Sequence, residues 1–93
     1  MRRDRFVIIE DVLKICLDTA SMKSGIMYRA NLSFAQLELY LSICVESGLL
    51  KKQIEGSRVV YVTTEKGREF LEAFDKVTSL IKAKKSMVKT DGS

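Results

Sequence analysis

Nine side chains spread through this chain have the chemistry to hold a polyanion. Arg5, Lys23, Arg29, Lys52 and Arg58 are cations, and Tyr28, Ser33, Gln36 and Ser42 supply neutral hydrogen-bonding groups between them. Cations of this kind displace the counterions condensed on duplex nucleic acid. Hydroxyl and amide groups then either donate to phosphate oxygens or meet base edges. Arg2, Arg3 and Arg5 add a basic arm at the N-terminus, able to follow a backbone or enter a minor groove. Lys51 belongs with Lys52.

Other chemistries find few residues to work with. The chain has no histidine, the usual proton carrier near neutral pH. It has neither a glycine-rich phosphate loop nor a nucleophile motif, and the Glu10-Asp11 pair falls on the surface of a helix. No catalytic residue, cofactor or small-molecule substrate is expected. Cys16 and Cys44 lie among apolar residues at helical spacing and read as small buried hydrophobes. A disulfide joining the first and third helices is the alternative. Two thiolates without an imidazole leave a zinc shell half empty, so no metal is expected.

The elements that must position these groups are clearest between Asn31 and Gly67. Ser33 can cap a helix starting at Phe34, with Gln36 placed to complete a capping box. Gly48 ends that helix, Phe34 to Ser47, and Leu49 and Leu50 fold back as apolar contacts. Lys51 to Ile54 and Arg58 to Val62 are strand-like runs joined by Glu55-Gly56-Ser57, a hairpin-length turn. Thr63 or Thr64 then caps another helix. A helix followed directly by a hairpin is the second half of a winged helix-turn-helix, a module that most often binds double-stranded nucleic acid.

Upstream, Arg5 to Ala20 reads as an amphipathic helix with Phe6, Ile9, Leu13, Cys16 and Leu17 inward, widened by Ile8 and Val12. A polar break, Ser21 to Gly25, leads to a short second helix to Ala30, with Ser24 as its cap. Asn31 suits the left-handed turn that follows. In the third helix Leu37, Tyr40, Leu41 and Cys44 face the first. Ala35, Gln36, Glu38, Leu39 and Ser42 face outward, toward a DNA groove if the module docks through that helix. The fold class is mainly α with a small hairpin (α+β).

The last helix starts at Glu65. Phe70, Phe74, Val77 and Ile81 are spaced 4, 3 and 4 apart; Lys84 breaks the next step and Val88 resumes it. Leu71, Leu80 and Met87 broaden the seam. A seam of this period, on a helix longer than so small a body can cover, predicts a homodimer through antiparallel pairing of these helices. The expected organisation is a DNA-binding winged helix-turn-helix at 1–67, a dimerisation helix at 68–88 and a polar, disordered tail at 89–93. Lys82, Lys84 and Lys85 read as the solvent face of that helix.

With 93 residues the chain makes one domain with a modest core. The excess of 16 basic over 12 acidic residues gives +4, which suits nucleic-acid contact without demanding it. No apolar run reaches the roughly 20 residues of a membrane helix, and Glu10-Asp11 interrupts the early apolar stretch. A cytoplasmic, nucleoid-associated protein is expected.

The run Ile26-Met27-Tyr28-Arg29-Ala30-Asn31-Leu32-Ser33, with Tyr40-Leu41, Gly48-Leu49 and Thr64-Glu65-Lys66-Gly67, resembles a known family. It is that of the small dimeric winged-helix DNA-binding proteins of thermophilic archaea, chromatin-type proteins and predicted transcriptional regulators. The resemblance spans about residues 5 to 82. It implies a winged helix, a dimer through an antiparallel coiled coil of the last helices, and double-stranded DNA as partner. One departure stands out. Such proteins carry basic residues in the middle of the recognition helix, where this chain has Glu38 and Leu39. Glu38 is repelled by phosphate unless it accepts from a cytosine amino group. Together with Leu39 and Ile43 on the outer face, it keeps open the alternative of a protein–protein adaptor that binds no DNA.

Overall fold

The computed structural model describes residues 4–92, and the side chains of residues 4–81. The elements follow one another as α1 (Arg5–Asp18), α2 (Lys23–Arg29), α3 (Phe34–Glu46), β1 (Leu50–Glu55), β2 (Arg58–Thr63) and α4 (Glu65–Gly92). Asp4 caps α1, its carboxylate accepting from the Phe6 amide at 2.8 Å. The capping box of α3 is complete. The Gln36 amide donates to Ser33 Oγ at 3.1 Å, and the Ser33 amide donates to Gln36 Oε1 at 3.0 Å.

Two helices end in the same way. At the end of α3, Gly48 takes φ 79°. Its amide donates to the Val45 carbonyl, and the Leu49 amide donates to the Cys44 carbonyl at 2.8 Å. At the end of α2, Asn31 takes φ 55° and the Leu32 amide donates to the Met27 carbonyl at 3.0 Å. Both are Schellman stops, which satisfy carbonyls that the helix leaves orphaned. Each one turns an apolar residue, Leu49 or Leu32, back into the core.

The core lies where α1, α2, α3 and the base of the hairpin meet. Leu13, Ile26, Leu37, Cys16 and Cys44 are its most enclosed members. β1 and β2 pair antiparallel from Leu50↔Thr63 to Glu55↔Arg58. Ser21 extends this ladder by a single bridge: its amide donates to the Tyr61 carbonyl and the Tyr61 amide donates back to the Ser21 carbonyl. The Thr63 hydroxyl donates to the Leu13 carbonyl at 2.6 Å, tying the hairpin to α1.

Several expectations need correction. α1 stops at Asp18 rather than Ala20, and Phe6 and Leu17 are exposed, while Ile15 joins the expected Ile8, Ile9, Val12, Leu13 and Cys16 in the core. The inward stripe is shifted because α1 is covered by α2 and α3 on one side and by β2 and α4 on another. α2 starts at Lys23, so Ser24 lies inside it; the N-cap is Met22, which makes no side-chain cap. Ile43 is not on the outer face of α3 but partly buried against the core. The helical assignment of α4 continues over 89–92, residues that the sequence pattern gives to the polar tail, and Ser93 lies outside the described residues.

Candidate nucleic-acid interface

The hairpin alternates its side chains, so its register decides which cations share a face. Lys52↔Tyr61 and Ile54↔Val59 project to one side, Glu55↔Arg58 to the other. Tyr61 is buried at the base of the first face. Farther out, Lys52 and Val59 form one wall of an open cleft of about 410 Å³, with Met22, Lys23 and Ser24 opposite. A second groove of about 210 Å³ runs between α3 and the hairpin, where Glu38, Ser42 and Val45 face Lys52, with Lys23 beside them. The N-terminal end of α2, the outer face of α3 and the hairpin thus meet along one surface.

Carboxylates accompany the cations. Lys23 Nζ lies 2.6 Å from Glu38 Oε2, bridging α2 to α3. This hydrogen bond raises the Lys23 ammonium above its ordinary pKa. The Ser42 hydroxyl donates to Glu46 Oε2 at 3.2 Å. Arg58 sits 3.8 Å from Glu55 and Arg29 sits 4.0 Å from Asp18. These are exposed pairs, worth little in stability, and each can open to a stronger competitor.

Of the nine groups expected to act together, the surface gathers Lys23, Ser42 and Lys52. Arg58 falls on the opposite face of the hairpin. Arg29 is drawn toward the end of α1, and Arg5 is the first residue of α1. Tyr28 is 86% exposed, its ring as well as its hydroxyl open to solvent. Ser33 and Gln36 are engaged with each other, although the Gln36 amide nitrogen remains a donor. Arg2 and Arg3 lie outside the described residues. Met22 and Val59, apolar parts of the cleft, were not anticipated; the Ile54↔Val59 and Lys52↔Tyr61 alternation is the signal that could have found Val59.

Elsewhere, Cys16 and Cys44 are free thiols in the core. Burial pushes Cys16 up to about 12, with the Cys44 sulfur contributing, and pushes Cys44 up to about 11. Among the described residues no group of ligands is arranged to hold a metal ion, and no helix is long and apolar enough to cross a membrane. Glu10 pairs with Lys14 at 3.2 Å along α1.

On the far side, α4 passes α1. Phe70 and Phe74 stack at 5.9 Å with their planes 9° apart. With Phe6, Ala73 and Val77 they line an apolar groove of about 320 Å³. Phe70 and Leu71 pack partly on the core, whereas Val77, Leu80 and Ile81 are 52%, 69% and 56% exposed. Met87, Val88 and the lysines at 82, 84 and 85 lie outside the described side chains.

A family model for the winged helix-turn-helix matches residues 2–82. The chain belongs to that family. Its winged helix-turn-helix resembles Sso10a-2, a DNA-binding protein from Sulfolobus solfataricus, with TM-score 0.75, 26% identity and 95% of each chain covered. It also resembles a PadR family transcription regulator from Clostridium difficile, with TM-score 0.72, 22% identity, and 87% and 96% of the two chains covered. MepR of S. aureus, solved as a DNA complex, shares the fold at TM-score 0.71 and 12% identity, covering 95% of this chain and 73% of that one. Among curated relatives, MJ0290 of Methanocaldococcus jannaschii is 32% identical over 81 residues, 87% of this chain. The winged helix-turn-helix chain spans only 36% of that relative's length. MJ0287 of the same archaeon is 25% identical over 83 residues, 89% of this chain and 81% of its own.

Proposed function

We propose that this protein binds double-stranded DNA as a homodimer, acting as a transcriptional regulator or small chromatin protein in the cytoplasmic nucleoid. The observation that carries the reading is the pairing of Lys23 and Lys52 along the edge of α3 that carries Glu38 and Ser42, where both lysines line the same groove. An exposed helix with cations along its edge suits a major groove, with α3 entering and the lysines meeting phosphates. Arg29 and Tyr28 extend the contact, and Arg5 serves as the start of a basic arm. The names of Sso10a-2 and of the MepR complex support the same partner. For assembly, the support is the exposed Val77 and Ile81 in line with Phe70 and Phe74, a stripe that a second α4 would cover. A dimer made this way is a reader of DNA rather than an enzyme.

A salt series on a labelled random duplex tests this reading. About six phosphate contacts give a log–log slope on the order of −5. A flat response favours the other reading, a protein–protein adaptor, for which the exposed Phe34 and Leu39 on α3 speak.

A further inference from the structure

The helix offered to the groove carries no cation of its own. Residues 34–46 contain no lysine or arginine and two glutamates. Glu38 sits among the outward residues, held by Lys23 through Oε2 at 2.6 Å, and its side chain is 43% exposed. The anchoring bond engages Oε2; Oε1 is the second acceptor of the same carboxylate. Its neighbours on the exposed face, Ala35 and Leu39, are apolar. Ser42 turns its hydroxyl proton to Glu46, and Gln36 Oε1 is engaged at the cap. Glu38 is therefore the strongest acceptor this face presents, already oriented by a bridge from another helix.

We propose that Glu38 is a specificity-determining residue that reads cytosine, accepting a hydrogen bond from its exocyclic amino group in the major groove. This inference rests on the duplex-binding reading above. In the major groove only cytosine N4 and adenine N6 donate hydrogen bonds. Adenine presents its N7 acceptor beside N6, which repels a carboxylate, whereas cytosine has only a carbon at the corresponding place. Guanine and thymine turn acceptors toward this position and are refused. Lys23 does two things here. It holds the carboxylate, and its ammonium offsets the repulsion between that carboxylate and the nearby phosphates. An exposed interhelical pair adds little to stability; its consequence is a helix that discriminates between bases instead of coating every duplex alike.

Selection from a random duplex library at physiological salt, run in parallel on the native chain, Glu38→Gln and Glu38→Ala, tests the assignment. The native protein should enrich cytosine at one position per half-site, by about tenfold over the other bases. Glu38→Gln should move that preference to adenine, whose N6 and N7 match a carboxamide, a change that a merely structural bridge would not produce. Glu38→Ala should flatten the position while random-duplex affinity is kept or raised. Duplex binding without a cytosine preference, or the same preference in all three proteins, overturns the assignment and leaves the DNA reading standing. Failure of the native protein to bind any duplex overturns both.

Discussion

The Thr64 hydroxyl donates to the Gly48 carbonyl oxygen across 2.6 Å and so joins the stop of α3 to the start of α4. The Thr64 hydroxyl oxygen in turn accepts from the Gly67 amide at 3.1 Å, which makes Thr64 the N-cap of α4. The Thr64 amide also donates to the Leu49 carbonyl at 3.0 Å. The long helix, the hairpin and α3 are locked together at this one junction. Thr64→Val keeps the shape and removes both hydroxyl bonds. It should lower the unfolding free energy by about 1–2 kcal/mol, read by urea denaturation. An unchanged midpoint would mean that water replaces the hydroxyl at no cost.

Gly67 explains why the motif continues to a glycine inside a helix. A Cβ built there falls well within contact distance of the Leu49 carbonyl oxygen and the Thr63 methyl group. Helix propensity alone favours Gly67→Ala by up to about 1 kcal/mol. Backbone cannot yield as a flexible side chain does, so crowding wins. A net loss of about 1–2 kcal/mol is expected, with a lower Tm in calorimetry. A stabilised variant would show that α4 can move away from Leu49 freely.

Much of this fold was legible in the chain because its stops and caps are written in local chemistry. Asn31, Ser33, Gln36 and Gly48 act within about five residues of themselves, as Thr64 does in capping α4, and each does what its type predicts. The inward stripe of α3 was legible for a similar reason, since it packs as a single face. α1 was harder. It is covered from two directions, so three-and-four spacing does not say that Phe6 and Leu17 end up outside and Ile15 inside. Ser21 read as a polar break because a one-residue bridge to Tyr61 leaves no period in the sequence. The site was legible as a list of cations but not as a surface. Register separates Lys52 from Arg58, and only the approach of α2 to α3 shows that Lys23 answers Glu38.

The buried thiols give the protein an alkaline weakness. Free thiols ionise near 9.0, whereas burial holds Cys16 near 12 and Cys44 near 11 in the folded chain. Below the lower value both states keep their protons and these groups add no pH dependence. Above it the unfolded chain releases protons that the folded chain retains, so stability falls as pH rises toward the folded values. Urea midpoints measured from pH 8 upward should drop more steeply for the native chain than for Cys16→Ala. Parallel curves would mean that Cys16 ionises normally in place.

Lys52 is the cation whose loss should speak most directly about DNA, because it lines both clefts. Lys52→Ala should weaken binding to all duplexes alike and reduce the salt slope by about 1. Lys23→Ala should do this and, by releasing Glu38, weaken discrimination between bases as well. Anisotropy titrations at several salt concentrations separate the two. Equal slopes for native and Lys52→Ala protein would move the phosphate contacts away from the wing.

The surface of α4 calls for a partner. Val77 and Ile81 are more than half exposed on a helix whose earlier turns, at Phe70 and Leu71, already close the core. Covering such side chains is worth about 1.5–3 kcal/mol each, and an antiparallel partner covers the same residues on both copies at once. Placing a carboxylate in that seam reverses the sign, because a buried charge without a partner is strongly unfavourable. Val77→Asp with Ile81→Asp should therefore sediment as a monomer that keeps its helical circular dichroism, since neither residue belongs to the monomer's core. Its DNA affinity should fall to that of a single module, for two linked modules bind at a mutual effective concentration that a lone one lacks. A double variant that still sediments as a dimer would move the interface away from this face of α4.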